Sequence, residues 1–164
     1  SPSKSFNLAG LNQSYAIIPN PEIKGKFEEG RGHLLKKGNI LGLEALRAAY
    51  EEGAEWFNQQ LQYLKINLQF AKKYIERRVP RIELIEPEGT YLLWLDCRNL
   101  ELNQEELDKF MTEQAKIGLD SGHWFGEGGS GFMRLNMACP RSILHEGLYR
   151  MELAVKKKFK RGNS

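Results

Sequence analysis

Apolar residues recur along the first half of the chain with a helical period and along the second half in short runs. Between Asn39 and Tyr50, Leu43, Leu46 and Tyr50 share one helical face. From Ala54 to Arg78, Phe57, Leu61, Leu64, Leu68, Ala71 and Ile75 follow at alternating steps of four and three, which predicts one long amphipathic helix. Gly53 is expected to bend the junction without separating the two stretches, and Pro80 to stop the run. Beyond Pro80 the runs shorten. Ile82 to Ile85 and Thr90 to Cys97, divided by Pro87-Glu88-Gly89, read as a hairpin. Asn103 and Glu106 form a capping box for a helix through Lys116, with Leu107, Phe110 and Met111 inward. Ile117 to Asp120 reads as a further strand, and Phe132 to Ala138 as another after a glycine-rich loop. Pro140 opens a last helix with Leu144, Leu148, Met151, Val155 and Phe159 on one face. The predicted order is β-β-α-β-β-α behind a long helix, an α/β arrangement. Nearer the start, Ser14 to Ile18 reads as a strand ended by Pro19-Asn20-Pro21.

Composition narrows the classes. At 164 residues, with 41% hydrophobic and 27% charged residues, the chain is an ordinary globular size and mix, unlike a disordered tail or a rod. Its apolar runs are far shorter than a membrane span and no leader is visible, so neither a membrane nor secretion is expected and the expected location is cytoplasmic. A net charge of +3 is too small to point to nucleic acid, and Lys156 to Arg161 read as a solvated helix end. Cys97 and Cys139 with the scattered His33, His123 and His145 do not make a zinc set, so no metal is expected. Tyr91 and Trp94 read as core.

Two motifs require weighing. Gly126 to Gly131 spells G-x-G-x-x-G, but a strand follows where a dinucleotide fold needs a helix, so the glycines are read as serving positive φ or close backbone approach. Arg134 is the one charge in Phe132-Met133-Arg134-Leu135-Asn136-Met137 and shares a face with Phe132 and Asn136. It reads either as a structural ion pair or solvated position, or as a planar fork that captures a carboxylate.

Three segments, spread in order over nearly the whole chain, carry a family resemblance. Ser1-Pro2-Ser3-Lys4-Ser5-Phe6-Asn7-Leu8-Ala9-Gly10-Leu11 resembles the segment bearing the cofactor lysine of fold-type I pyridoxal-phosphate (PLP) enzymes, the class I/II aminotransferase superfamily. Gly89-Thr90-Tyr91 leading into Leu95-Asp96 is similar to the small-domain hairpin of the branch containing cystathionine β-lyase. Phe125-Gly126 and Gly131 through Arg141 are similar to that branch's substrate-carboxylate segment.

The resemblance implies that Lys4 is the Schiff-base lysine, Ser1 a phosphate-binding serine and Arg134 the arginine that holds the substrate α-carboxylate. At Asn12, where many members place a phosphate-binding arginine, this sequence departs from the pattern. In the family the other cofactor-holding residues precede the lysine, so the chain is expected to be the C-terminal part of a longer enzyme and inactive by itself. Residues 1–32 would close the PLP-binding large domain, 33–79 would form the interdomain helices, and 80–164 the small domain. The parent activity implied is C–S β-elimination on an amino acid such as cystathionine or cysteine, in a homodimer, giving pyruvate, ammonia and a thiol. Transamination is the alternative within the family, and a noncatalytic α/β binding module the alternative outside it.

Overall fold

The computed structural model describes residues 2–32 and 38–160, so Ser1, His33 and Arg161 lie outside the described residues. The chain forms two units, Ser1–Leu61 and Gln62–Ser164. Helix α1 spans Pro2–Ser5, α2 Pro21–Arg31, α3 Ile40–Glu52, α4 Ala54–Arg78, α5 Gln104–Lys109 and α6 Arg141–Lys160. Strands β1 (Glu83–Ile85), β2 (Leu92–Asp96), β3 (Asp120–Ser121) and β4 (Phe132–Asn136) complete the order.

In the first unit, caps and aromatic contacts set the frame. Asn20 accepts hydrogen bonds from the Glu22 and Ile23 amides to open α2, with Pro21 in its first turn. The sequence reading missed α2, whose glycines and exposed apolar residues give little helical periodicity. Asn39 opens α3 through Gly42 N–H and donates to Leu11 O at 2.8 Å. Phe6 packs against Tyr50, Trp56 and Phe57, and Tyr15 Oη lies 3.0 Å from Tyr50 Oη. The predicted strand Ser14 to Ile18 is irregular chain. A strand exists only by pairing, and every strand among the described residues belongs to the sheet of β1 to β4. Leu43, Tyr50 and Leu61, predicted to face inward, are about half exposed.

Gly53 separates α3 from α4, contrary to the expectation of a mere bend. The break is one residue wide: Gly53 N–H bonds Ala49 O, while Gly53 O accepts from Phe57 N–H. A side chain at Gly53 would collide with Ala49 O and the Phe6 ring. Helix α4 then runs over the span its periodicity predicted.

The second unit is an antiparallel four-stranded sheet in the order β1-β2-β4-β3, with the predicted β-β-α-β-β-α succession. On one face Leu93, Leu95, Met133 and Leu135 join Ala71 and Ile75 of α4, Leu107 of α5 and Leu144, Leu148, Met151 and Val155 of α6 in one buried core. Each such side chain stabilises the unit by roughly 1.5 to 3 kcal/mol relative to exposure. Burial alternates along β2 and β4, so Trp94 and Arg134 stand on the opposite face. Trp94 is therefore outside this core, whereas Tyr91 packs against it.

The strands and one helix differ in length from expectation: β1 covers 83–85 of the predicted 82–85 and β2 covers 92–96 of the predicted 90–97. The pairing of the 117–120 stretch with β4 is confined to Asp120 and Ser121, opposite Arg134 and Met133. Strand β4 ends at Asn136 because its side chain accepts from Ala138 N–H and turns the chain. After Lys109 the predicted helix continues as a π-turn over Phe110–Gln114, closed by Ala115 N–H to Phe110 O, and stops before Lys116, which has φ 56°.

Buried polar groups tie helices to this core. Asn67, fully buried on α4, donates to the Met137 and Cys139 carbonyls and accepts from Arg141 Nε. Glu152, 1% exposed on α6, accepts from Tyr74 Oη and Arg78 Nε at Oε2, and faces Arg78 Nη2 and Lys156 Nζ at Oε1. Burial works against the ionisation of Glu152, but the bonds from Lys156, Tyr74 and Arg78 outweigh it and hold the carboxyl down at about 2. The same desolvation and the bond to Glu152 push Tyr74 up to about 12.

Candidate functional site

Lys4 is the third residue of the single turn Pro2–Ser5 and is exposed. The turn buries Pro2, and Phe6 N–H bonds Pro2 O at 2.9 Å, so the Phe6 contacts anchor the lysine segment from its C-terminal side. Asn7 and Asn12 adopt positive φ (55° and 50°), a conformation asparagine tolerates better than most residues. The segment therefore presents a primary amine on a short, pinned loop.

Arg134 belongs to the second unit, at the centre of β4, where antiparallel register places Trp94 of β2 on one side and Asp120 of β3 on the other. Its Nε and Nη2 both donate to Asp120 Oδ2, at 3.0 and 2.7 Å. The guanidinium carbon lies 4.3 Å from the centre of the Phe125 ring. Trp94 stacks on Phe132 at 5.7 Å and meets Phe125 edge-on at 5.7 Å. The open face of the sheet thus carries a cation framed by three aromatic rings, with its side chain 31% exposed. Farther along the same face, Arg98 pairs with Asp96 and holds its carboxyl below the usual range. Of the readings posed for Arg134, the ion pair is the one observed: Asp120 takes two N–H groups on one edge of the planar guanidinium.

The Phe125 loop is built largely from backbone. A Cβ on Gly122 would collide with Gly129 O, and one on Gly129 with Gly122 O, so both glycines are there for close approach. Gly131 has φ 83° and donates to Gln104 Oε1 at 2.8 Å. Gln104 Nε2 reaches Asp108 Oδ1 and Ser121 Oγ, and Ser121 Oγ donates to Asp108 at 2.6 Å. With the serine proton on Asp108, His123 Nδ1, 2.8 Å from Ser121 Oγ, must be the donor to it. Ser, His and Asp are thus joined in an order that leaves the hydroxyl unactivated, and the cluster pins the loop to α5.

This polar cluster escaped the sequence reading, as did Asp120. Its residues lie up to 27 positions apart. The visible signal was the alternation that put Arg134 on one face with Phe132 and Asn136 and left an ion pair as one of its readings. A cavity of about 490 Å³ elsewhere in the second unit is lined by Ile117, Leu119, Leu135 and Ile143, and its Glu146 and Arg150 bond each other at 2.7 Å. Its charges are spoken for.

The described residues fit PLP at one point, its aldehyde, for which Lys4 offers an amine. Ser1, expected at the phosphate, lies outside the described residues, and Asn12 brings no charge to that end. Among the described residues no helix is long and apolar enough to cross a membrane.

No family model matches the chain. It is 35% identical over 159 residues to the cystathionine beta-lyase PatB of Bacillus subtilis, covering 94% of this chain and 40% of that protein. Among solved structures, cystalysin of Treponema denticola, which contains a pyridoxal 5′-phosphate cofactor, superposes with a TM-score of 0.90 at 36% identity, over 96% of this chain and 40% of that one. More distantly, an aspartate aminotransferase of Pyrococcus horikoshii is 26% identical over 164 residues, covering 93% of this chain and 39% of that protein. The chain spans about 40% of the length of these relatives, a share consistent with the expected C-terminal part. Its homologues are cystathionine β-lyases and PLP-bound enzymes of the aminotransferase fold.

Proposed function

We propose that the chain works within a PLP-dependent enzyme that cleaves the Cβ–S bond of a cystathionine- or cysteine-like amino acid, giving pyruvate, ammonia and a thiol. The observation that carries this reading is the match to a cystathionine β-lyase over 94% of the chain. The open-face arginine supports it, because an amino-acid substrate always brings a carboxylate. Bound PLP supplies an aldehyde for amines and a ring that accepts the electron pair left when the Cα proton departs.

The chain's own residues do the rest. Lys4 Nζ would hold the cofactor at its aldehyde and, when free, would act as the base that takes the Cα proton. The Cβ–S bond breaks with its electrons going to sulfur, which takes up a proton and leaves as the thiol, and water hydrolyses the released 2-aminoacrylate to pyruvate and ammonia. Arg134 holds the α-carboxylate through two parallel N–H bonds and fixes the substrate's orientation. Ser1 contributes a hydroxyl to the cofactor phosphate. Residues 1–32 close the large domain, 33–79 cross between domains, and 80–164 form the small domain of a cytoplasmic homodimer.

Transamination differs in where the Cα proton is returned, and the similarity to an aspartate aminotransferase favours it as the second reading. In the PLP-loaded protein, Lys4→Ala is expected to abolish both the visible absorbance of the lysine-bound cofactor and thiol release from L-cystathionine. Retention of that absorbance overturns the assignment of Lys4, and turnover to a keto acid without thiol release overturns elimination in favour of transamination.

A further inference from the structure

A guanidinium on a strand is mobile about four torsions unless something holds it, and a carboxylate fork works only when its plane is fixed. Two contacts hold Arg134. Asp120 Oδ2 takes Nε–H and one Nη2–H, at 3.0 and 2.7 Å, which engages the side edge of the planar group. Phe125 covers one of its faces at 4.3 Å. The edge formed by Nη1 and the second Nη2 hydrogen points away from Asp120, with two parallel N–H bonds at the spacing of a carboxylate.

We propose that Asp120 and Phe125 are positioning residues for Arg134, aiming the end of its fork so that the α-carboxylate binds in the guanidinium plane. This rests on the reading of Arg134 as the carboxylate site. The antiparallel register of β3 against β4 brings Asp120 opposite Arg134. The Gln104–Ser121–Asp108 cluster sets the loop that delivers Phe125. Asp120 uses one oxygen for both bonds, and an asparagine carbonyl accepts the same two N–H groups. Geometry and charge are thereby separable.

The sign of the effect decides the matter. Were Asp120 only a competitor for Arg134, its removal would free the arginine and tighten carboxylate binding. As a positioning residue, its removal loosens binding while asparagine preserves it. The experiment titrates the PLP-loaded protein with sodium propionate at constant ionic strength by calorimetry, with sodium chloride as the control anion and circular dichroism as the check on folding. Asp120→Ala is expected to weaken propionate binding about tenfold, the scale of one charge-assisted hydrogen bond. Asp120→Asn is expected to stay within about threefold of the parent, since the acceptor oxygen remains and a competing charge is gone. Phe125→Ala, at an exposed position that folding tolerates, is expected to weaken binding about threefold. Unchanged or tighter binding in Asp120→Ala overturns the proposal, as does a tenfold loss in Asp120→Asn. Should Asp120→Ala fail to fold, unchanged binding in Phe125→Ala overturns it. Parent-like binding in Arg134→Ala, or heat from chloride equal to that from propionate, overturns instead the reading of Arg134 on which the proposal stands.

Discussion

Two ionic clusters in the second unit use the same chemistry to opposite ends. At Glu152 a carboxylate is buried among exposed cations, and each oxygen serves two donors: Tyr74 and Arg78 on Oε2, Arg78 and Lys156 on Oε1. At Arg134 the cation is the better covered partner, and one oxygen of Asp120 takes two of its five N–H bonds. A buried carboxylate whose two oxygens are each doubly engaged is fixed in place and acts as a fastener between α4 and α6. At Arg134 the cation is held by Asp120 and Phe125 while its side chain keeps 31% exposure. The two clusters differ in which partner is covered, the anion at Glu152 and the cation at Arg134.

Substitutions test that distinction. The largest effect is expected from Arg134→Lys in the PLP-loaded protein, where loss of the fork lowers kcat/KM for L-cystathionine by roughly one to several orders of magnitude, at about 1.4 kcal/mol per factor of ten. The thermal midpoint stays put. A midpoint that falls with activity would make Arg134 a fastener too. Glu152→Ala should show the reverse pattern, losing about 3 kcal/mol of stability in urea unfolding because the donors of Tyr74, Arg78 and Lys156 lose their shared acceptor. Asn67→Ala, which strands two carbonyls, is expected to cost about 1 to 3 kcal/mol by the same assay.

Acid provides a subtler probe. Because Glu152 is held at about 2 in the fold and sits near 4.3 in an unfolded chain, its stabilising contribution is fully present above about pH 5 and is lost as pH falls toward 2. Glu152→Gln should flatten that part of the stability profile, and a profile that keeps its slope would show that other carboxylates carry it. The smallest effect is expected at the thiols. Desolvation, with Asp96 next door, pushes Cys97 up to about 12, whereas the half-buried Cys139 is raised by desolvation alone. A neutral maleimide should label Cys139 first.

Much of this arrangement was legible in the sequence where a single element carried the signal. The four-three alternation located α4, the capping box located α5, and Pro140 located the start of α6. Legibility failed where pairing decides. Ser14 to Ile18 has the composition of a strand, but no residue's own preference supplies a ladder partner. Asp120 lies 14 positions from Arg134 and meets it only through the β3–β4 register. Glu152, among Leu148, Met151 and Val155 on the apolar face of α6, went unremarked in the sequence, because its partners Tyr74 and Arg78 lie more than 70 positions away.

The clasp between Gly122 and Gly129 has an evolutionary reading. Because backbone meets backbone there, the clasp does not depend on the identity of the residues at the loop's tip, Trp124, Phe125 and Glu127, all of which are exposed. Scaffold and lining are inherited separately. A lineage can exchange the tip residues, and with them the surroundings of Arg134, while the two glycines keep the frame constant, so single substitutions change what lines this face and leave the architecture unaltered.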